Sequence, residues 1–122
     1  MSDDNPQTPC QGGPADNTPD GIVVPIFSVL KLRVWVCFTK AHLNVVWDGN
    51  TLYNDTLSDF AEVGLPNSQK GDHLLTWSVV PGNVASYQVR SEVVQNDGIV
   101  YEHHVLQGGL RLVTRGITVE VQ

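Results

Sequence analysis

Apolar and polar residues alternate through most of the chain from residue 22 onward, with a period of two and no convincing 3.6-residue repeat. In VLKLRVWVCF, Leu30, Leu32, Val34, Val36 and Phe38 fall on one face of a strand, with Lys31, Arg33, Trp35 and Cys37 on the other. HLNVVW groups Leu43, Val45 and Trp47, and Asp48-Gly49-Asn50 then reads as a turn into TLYN. Residues 55–70 are the least regular. Leu57, Phe60 and Ala61 fit a single helical turn plugging one end of the fold, followed by loop.

In the C-terminal half, apolar alternation is broken at Pro81-Gly82-Asn83, Asn96-Asp97-Gly98, Gly108-Gly109 and Arg115-Gly116. Taking each break as a hairpin turn predicts a five-strand antiparallel meander from about Asp72 to Val121. A three-residue loop at Asn96-Asp97-Gly98, with its glycine left-handed, sets Tyr101 opposite Val93, His103 opposite Ser91 and Val105 opposite Val89. The other turns set Trp77 opposite Tyr87, His73 opposite Ser91, His103 opposite Thr114, and Leu112 opposite Val119, with Arg111 facing Glu120. The apolar face so formed needs cover, and residues 22–54 are expected to supply it. The architecture that follows is all-β: a two-layer antiparallel β-sandwich of immunoglobulin-like size, or alternatively a flattened β-barrel. Residues 1–21, with four prolines and little to bury, are expected to form a flexible tail ahead of one domain spanning 22–122.

A net charge of −6 with only seven Lys and Arg argues against nucleic acid and anionic membranes as partners. No basic, apolar leader and no run approaching ~20 apolar residues is present, so a cytoplasmic or non-classically exported chain is expected. Cys10 and Cys37 allow one disulfide, but free thiols are the simpler expectation in a reducing compartment. Walker loop, dinucleotide fingerprint, zinc spacing and paired catalytic carboxylates are all missing, so neither cofactor nor metal is expected.

His103 and His104 are neighbours in a strand and must point to opposite faces, so they cannot chelate one ion without a bulge. The predicted registers place His73, Ser91, His103 and Thr114 in one polar row on the apolar face. The simpler reading is a hydrogen-bonded cluster; the sharper is a ligand-binding mouth, with the two histidines about 10 Å apart. A Ser–His nucleophile pair there lacks an acidic orienter. His104 joins Arg90, Glu92 and Glu102 on the other face, a solvated charged layer or, less simply, a cation site. Asp48, Asn50, Asn54 and Asp55 are calcium-type ligands without EF-hand spacing, and Asn54-Asp55-Thr56 matches a glycosylation pattern. His42 stands alone at a strand start.

Trp35 beside Lys31 and Arg33 is the residue out of place. On a solvent face it suggests a partner-binding patch, or a sugar platform with Tyr53; on a covered face it is core. ITVEVQ reads as an edge strand whose Val119 and Val121 could meet another copy. Together these features favour a non-enzymatic protein-interaction or self-assembly module over a small-ligand or carbohydrate binder, with an enzyme last.

Overall fold

A computed structural model describes residues 15–17, 21–57, 59–82, 84, 86–108 and 111–122, with backbone alone at 15–17 and 106–108. Ten strands run in order: β1 (Ala15–Asn17), β2 (Gly21–Val24), β3 (Leu30–Cys37), β4 (Ala41–Trp47), β5 (Asn50–Leu57), β6 (Phe60–Gly64), β7 (Gly71–Pro81), β8 (Ser86–Gln95), β9 (Gly98–Gly108) and β10 (Val113–Val121). They form two five-stranded sheets, β1-β9-β8-β3-β6 and β2-β10-β7-β4-β5, packed face to face and not closed into a barrel. The pairing is antiparallel except between β2 and β10, where Ile22 to Val24 run parallel to Val119 to Val121.

The core is the layer between the sheets. Leu32, Val34, Val36, Val89, Val93 and Tyr101 from the first sheet meet Leu43, Val45, Leu75, Trp77, Ile117 and Val119 from the second. Period-two alternation delivers these side chains to one side of each strand, as the sequence pattern requires. Burial of this layer is the main favourable term in folding.

The β-sandwich is therefore as expected, but its wiring is not a meander. Among the described strands only β4–β5 and β8–β9 are hairpins within one sheet; every other connection passes to the opposite sheet. Each sheet draws on both halves of the chain, so residues 22–54 do not form a separate cover. β7 and β8 lie in different sheets, as do β9 and β10, so the expected pairs Trp77–Tyr87, His73–Ser91 and His103–Thr114 do not exist. The breaks at 81–83 and 108–109 are crossings between layers (Asn83 and Gly109 lie outside the described residues).

Arg115-Gly116 is no turn at all. Both residues sit inside β10, paired with Trp77 and Thr76 of β7. A Cβ on Gly116 would stand 3.1 Å from Thr76 Cγ2, so tight contact with the neighbouring strand accounts for this glycine. With the turn gone, the odd residues Val113, Ile117, Val119 and Val121 face inward and Leu112 is exposed. Leu110 lies outside the described residues. β10 is an inner strand between β2 and β7, not an edge.

The β8–β9 hairpin has the expected far register, Val93–Tyr101, Ser91–His103 and Val89–Val105, by a different route. The turn has two residues, Asn96 and Asp97, both with positive φ (49° and 68°), which these side chains tolerate. The extra residue is Val100, bulged out of β9 between the Val94–Ile99 and Val93–Tyr101 pairs. Asp48-Gly49 makes the matching two-residue turn between β4 and β5, again with both φ positive (50° and 82°).

Other corrections are local. Phe38 leaves the apolar face of β3: it follows the strand with φ 79° and is exposed. Leu57 ends β5, and Phe60 and Ala61 begin β6 alongside β3, so no helical turn forms there. Within the segment expected to be a flexible tail, residues 15–17 pair with β9 and Gly21 opens β2; the remainder lies outside the described residues.

Placing a charge at residue 119 discriminates an inner from an edge position. Val119→Lys should destabilise the protein by roughly 3–5 kcal/mol, the usual cost of an uncompensated buried charge. Thr118→Lys, on the exposed side of the same strand, should change stability by about 0.5 kcal/mol or less. Urea unfolding of both variants reads the contrast; equal, small effects would return β10 to the edge.

Candidate functional site

The structure divides the expected polar row between the two sheets. Ser91 and His103 face each other across β8 and β9, both buried. His73 lies on β7 opposite Val119, and Thr114 is exposed opposite Ser78. Ser91 instead meets the other sheet: the Trp77 indole donates to its hydroxyl at 3.0 Å. Trp77 packs edge-on against Tyr101, with ring centroids 5.6 Å apart, and Arg115 Nε donates to the Tyr101 hydroxyl at 2.9 Å. Tyr101 and Arg115 are polar-cluster members that the sequence reading missed, because Tyr101 reads as plain core and Arg115-Gly116 as a turn.

His73 belongs to a second cluster near one end of the sandwich. Its Nδ1 is 2.5 Å from Asp48 Oδ2 and its Nε2 is 2.7 Å from the Gln69 carbonyl. Both partners accept, so the two bonds are made together when both ring nitrogens carry hydrogen, and the site favours the imidazolium. Trp47 stacks on it at 5.0 Å, with planes 22° apart. The hydrogen bond to Asp48 raises the His73 pKa above its ordinary value, the Gln69 carbonyl adds to this, and burial opposes it. Asp48 titrates below the usual carboxylate range through its bond to His73 and a 2.8 Å bond from the Leu74 N–H. Asp48 is thus committed to His73, and Asn54 Oδ1 is bonded to His42 Nε2, so the calcium-type residues do not converge. Among the described residues no His, Cys, Asp and Glu grouping could hold a metal ion.

The outer face of the first sheet carries the charged layer. Arg90 bonds Glu92 (2.5 Å) and Glu102 (3.0 Å), and His104 Nε2 lies 3.4 Å from Glu102. This is the expected set of neighbours, yet Glu92 is buried and not solvated. Burial, and then the charge of Arg90, lowers the His104 pKa. Trp35 is only 8% exposed, lying against the Phe60 ring (4.9 Å) with the Arg90 guanidinium 5.4 Å from its centroid. Lys31 and Arg33 are both paired with Glu62, at 3.5 and 2.7 Å. The expected exposed patch is therefore absent: Trp35 is buried, with its indole Nε1 lacking a hydrogen-bond partner among the described residues, Lys31 and Arg33 are paired with Glu62, and Val119 and Val121 are core. Cys37, on the same face, is disulfide-bonded, which overturns the free-thiol expectation. The chain's other cysteine, Cys10, lies outside the described residues.

Exposed apolar side chains lie elsewhere, several of them in and beside the loop from Pro25 to Val29. Phe27 is 74% exposed with φ 64°, Val29 is 57% exposed, and Ile99, just past the β8–β9 turn, is 54% exposed. Asn67 is buried beneath this loop. Its Nδ2 donates to the Pro25 and Ser28 carbonyls and to Ser28 Oγ, and its own carbonyl accepts the Phe27 N–H at 2.9 Å. Val29 and Asn96 exchange bonds of 2.9 and 2.8 Å. An open recess of about 320 Å³ is lined by Ile99, Val100, Tyr101 and Glu102 of β9. Sequence alone gave one hint: an apolar IVVPIFSVL run in which Pro25 forbids an uninterrupted strand.

Set against known proteins, the chain matches no family model, no curated protein and no solved structure at a significant level.

The two shifted histidines give stability opposite slopes on either side of pH ~6.5, the ordinary imidazole value. His73, raised on folding, contributes fully below that value, and its contribution is lost as pH climbs through the folded pKa. His104, lowered on folding, costs stability as pH falls below 6.5, because the unfolded chain then binds the proton more readily. Asp48 adds a further loss once pH falls below the ordinary aspartate value of 3.8 toward its lowered folded one. Melting temperature should therefore peak near pH 6.5. In Asp48→Asn the alkaline decline should be smaller and end at lower pH, with the His73 ring-proton NMR titration shifted down alongside; an unmoved His73 titration would remove the Asp48 tie.

Proposed function

We propose that this β-sandwich is a protein-interaction module that docks through the tip formed by the Pro25–Val29 loop and the β8–β9 hairpin. The observation that supports the reading most is Phe27. A bulky residue in the left-handed region costs about 1–2 kcal/mol, and it persists only where surrounding bonds over-determine it. Here Asn67 and Asn96 supply those bonds, and the outcome is an aromatic ring held out in water. A rigid exposed aromatic loses little freedom on association, which is what suits a residue to anchor an interface. Val29 and Ile99 extend the surface around it.

The small-ligand or carbohydrate reading relied on Trp35 as a stacking platform with Tyr53, or on the His73, Ser91 and His103 row, which is divided between the two sheets. Arg90 and Phe60 occupy the faces such a platform would offer, so that reading loses its support.

A residue kept for docking and not for folding should be replaceable at no cost to stability. Asn accepts left-handed φ more readily than Phe, so Phe27→Asn should leave unfolding free energy unchanged or raise it by up to about 1 kcal/mol. Urea denaturation measures this. A loss of more than about 1 kcal/mol would make Phe27 a structural residue and end the proposal.

A further inference from the structure

A second exposed phenylalanine stands at the other end of the molecule. Phe38 directly follows β3, as Val29 directly precedes it, so the eight residues of β3 separate the two tips by about 26 Å. Phe38 is also left-handed (φ 79°) and 65% exposed. Its loop is fixed as firmly as the first: the Gly82 N–H donates to the Lys40 carbonyl at 2.9 Å and to Thr39 Oγ1 at 3.2 Å. The Tyr87 hydroxyl donates to the Arg111 carbonyl, which holds the segment bearing exposed Leu112. Val80, also exposed, lies in the last turn of β7 at this end.

The charges beside the two tips differ. The Phe27 end carries Asp97, in the turn whose Asn96 is tied to Val29, with Lys70 and Asp72 on the segment between Asn67 and His73, and is acidic on balance. Lys40 and Arg111 adjoin Phe38 and Leu112 in sequence, with Asp59 the acid at that end, which is basic on balance. The two apolar tips are therefore not copies of one surface; each carries the complement of the charge the other presents. We infer that the partner of the Phe27 tip is the Phe38 tip of a second copy of this chain, giving end-to-end, heterologous association. Such a contact uses two different surfaces per molecule, so each copy added leaves one of each open, and the assembly grows as a string. This inference rests on the docking role proposed for Phe27 and names its partner.

Two point variants test it, Phe27→Asp and Phe38→Asp, each at an exposed position and each checked for folding by circular dichroism. In sedimentation velocity, wild type should grow in mass with concentration, and each variant alone should remain a monomer. An equimolar mixture should give a 1:1 dimer and nothing larger, because only one intact pair of tips remains. Raising the salt concentration should weaken that dimer several-fold. If Phe38→Asp self-associates like wild type, the contact pairs two Phe27 tips and the end-to-end arrangement is wrong, while the docking role of Phe27 survives. If wild type stays monomeric at every concentration, the self-partner is wrong and the Phe27→Asn stability result still judges the docking role. If both variants associate like wild type, both ideas fall.

Discussion

Trp77 reaches across the layer between the two sheets and gives its indole hydrogen to Ser91, and the architecture is organised around that crossing. Face-to-face sheets joined by apolar contact alone can slide, since valine against leucine has little directional preference. A buried hydrogen bond does have direction, and leaving either partner unmade costs about 1–3 kcal/mol. The bond therefore fixes β7 over β8 laterally. Tyr101 and Arg115 extend the fixed point to β9 and β10. The buried polar atoms thus serve register between layers, a task the strand ladders cannot perform because they act only within a sheet.

The two clusters near one end work in series. His73 holds the Gln69 carbonyl; two residues earlier in the same loop, Asn67 clamps Pro25 and Ser28. The loop that displays Phe27 thus rests on a loop that is itself secured by His73, stacked on Trp47. Rigidity at that tip does not come from the tip's own side chains, of which only that of Ser28 is bonded; the backbone groups of Pro25 to Val29 are held mainly by Asn67, Asn96 and Gln122. It is imported from β7 and the β4–β5 turn.

What the sequence could reveal follows from how local each feature is. Alternation along a strand is local, and Leu32, Val45, Leu75 and Val93 were assignable to the core on it alone. The turn at Asn96-Asp97-Gly98 could be read from its residue types, and the Ser91–His103 and Arg90–His104 pairs followed, although the left-handed residues are Asn96 and Asp97 and not the glycine. Layer crossings use the same Gly, Pro and Asn chemistry as hairpins, so Pro81-Gly82 gave no sign that β8 enters the other sheet. The Arg111–Glu120 charge match that favoured an Arg115-Gly116 turn was coincidental; Gly116 answers to Thr76, a neighbour 40 residues away in sequence. The docking tip was hidden for a related reason. Phe27 and Phe38 continue apolar runs, and only three-dimensional loop geometry turns them outward.

The position of β10 bears on how such a chain acquires its shape during synthesis. This last strand fills the gap between β2, near the start, and β7, so the second sheet has two unsatisfied ladders until residue 121 has been made. Pairing across nearly a hundred residues makes assembly slow and exposes strand edges meanwhile. The second sheet accordingly cannot close until β10 has emerged from the ribosome, and half-finished sheets are the form that chaperones would encounter before then.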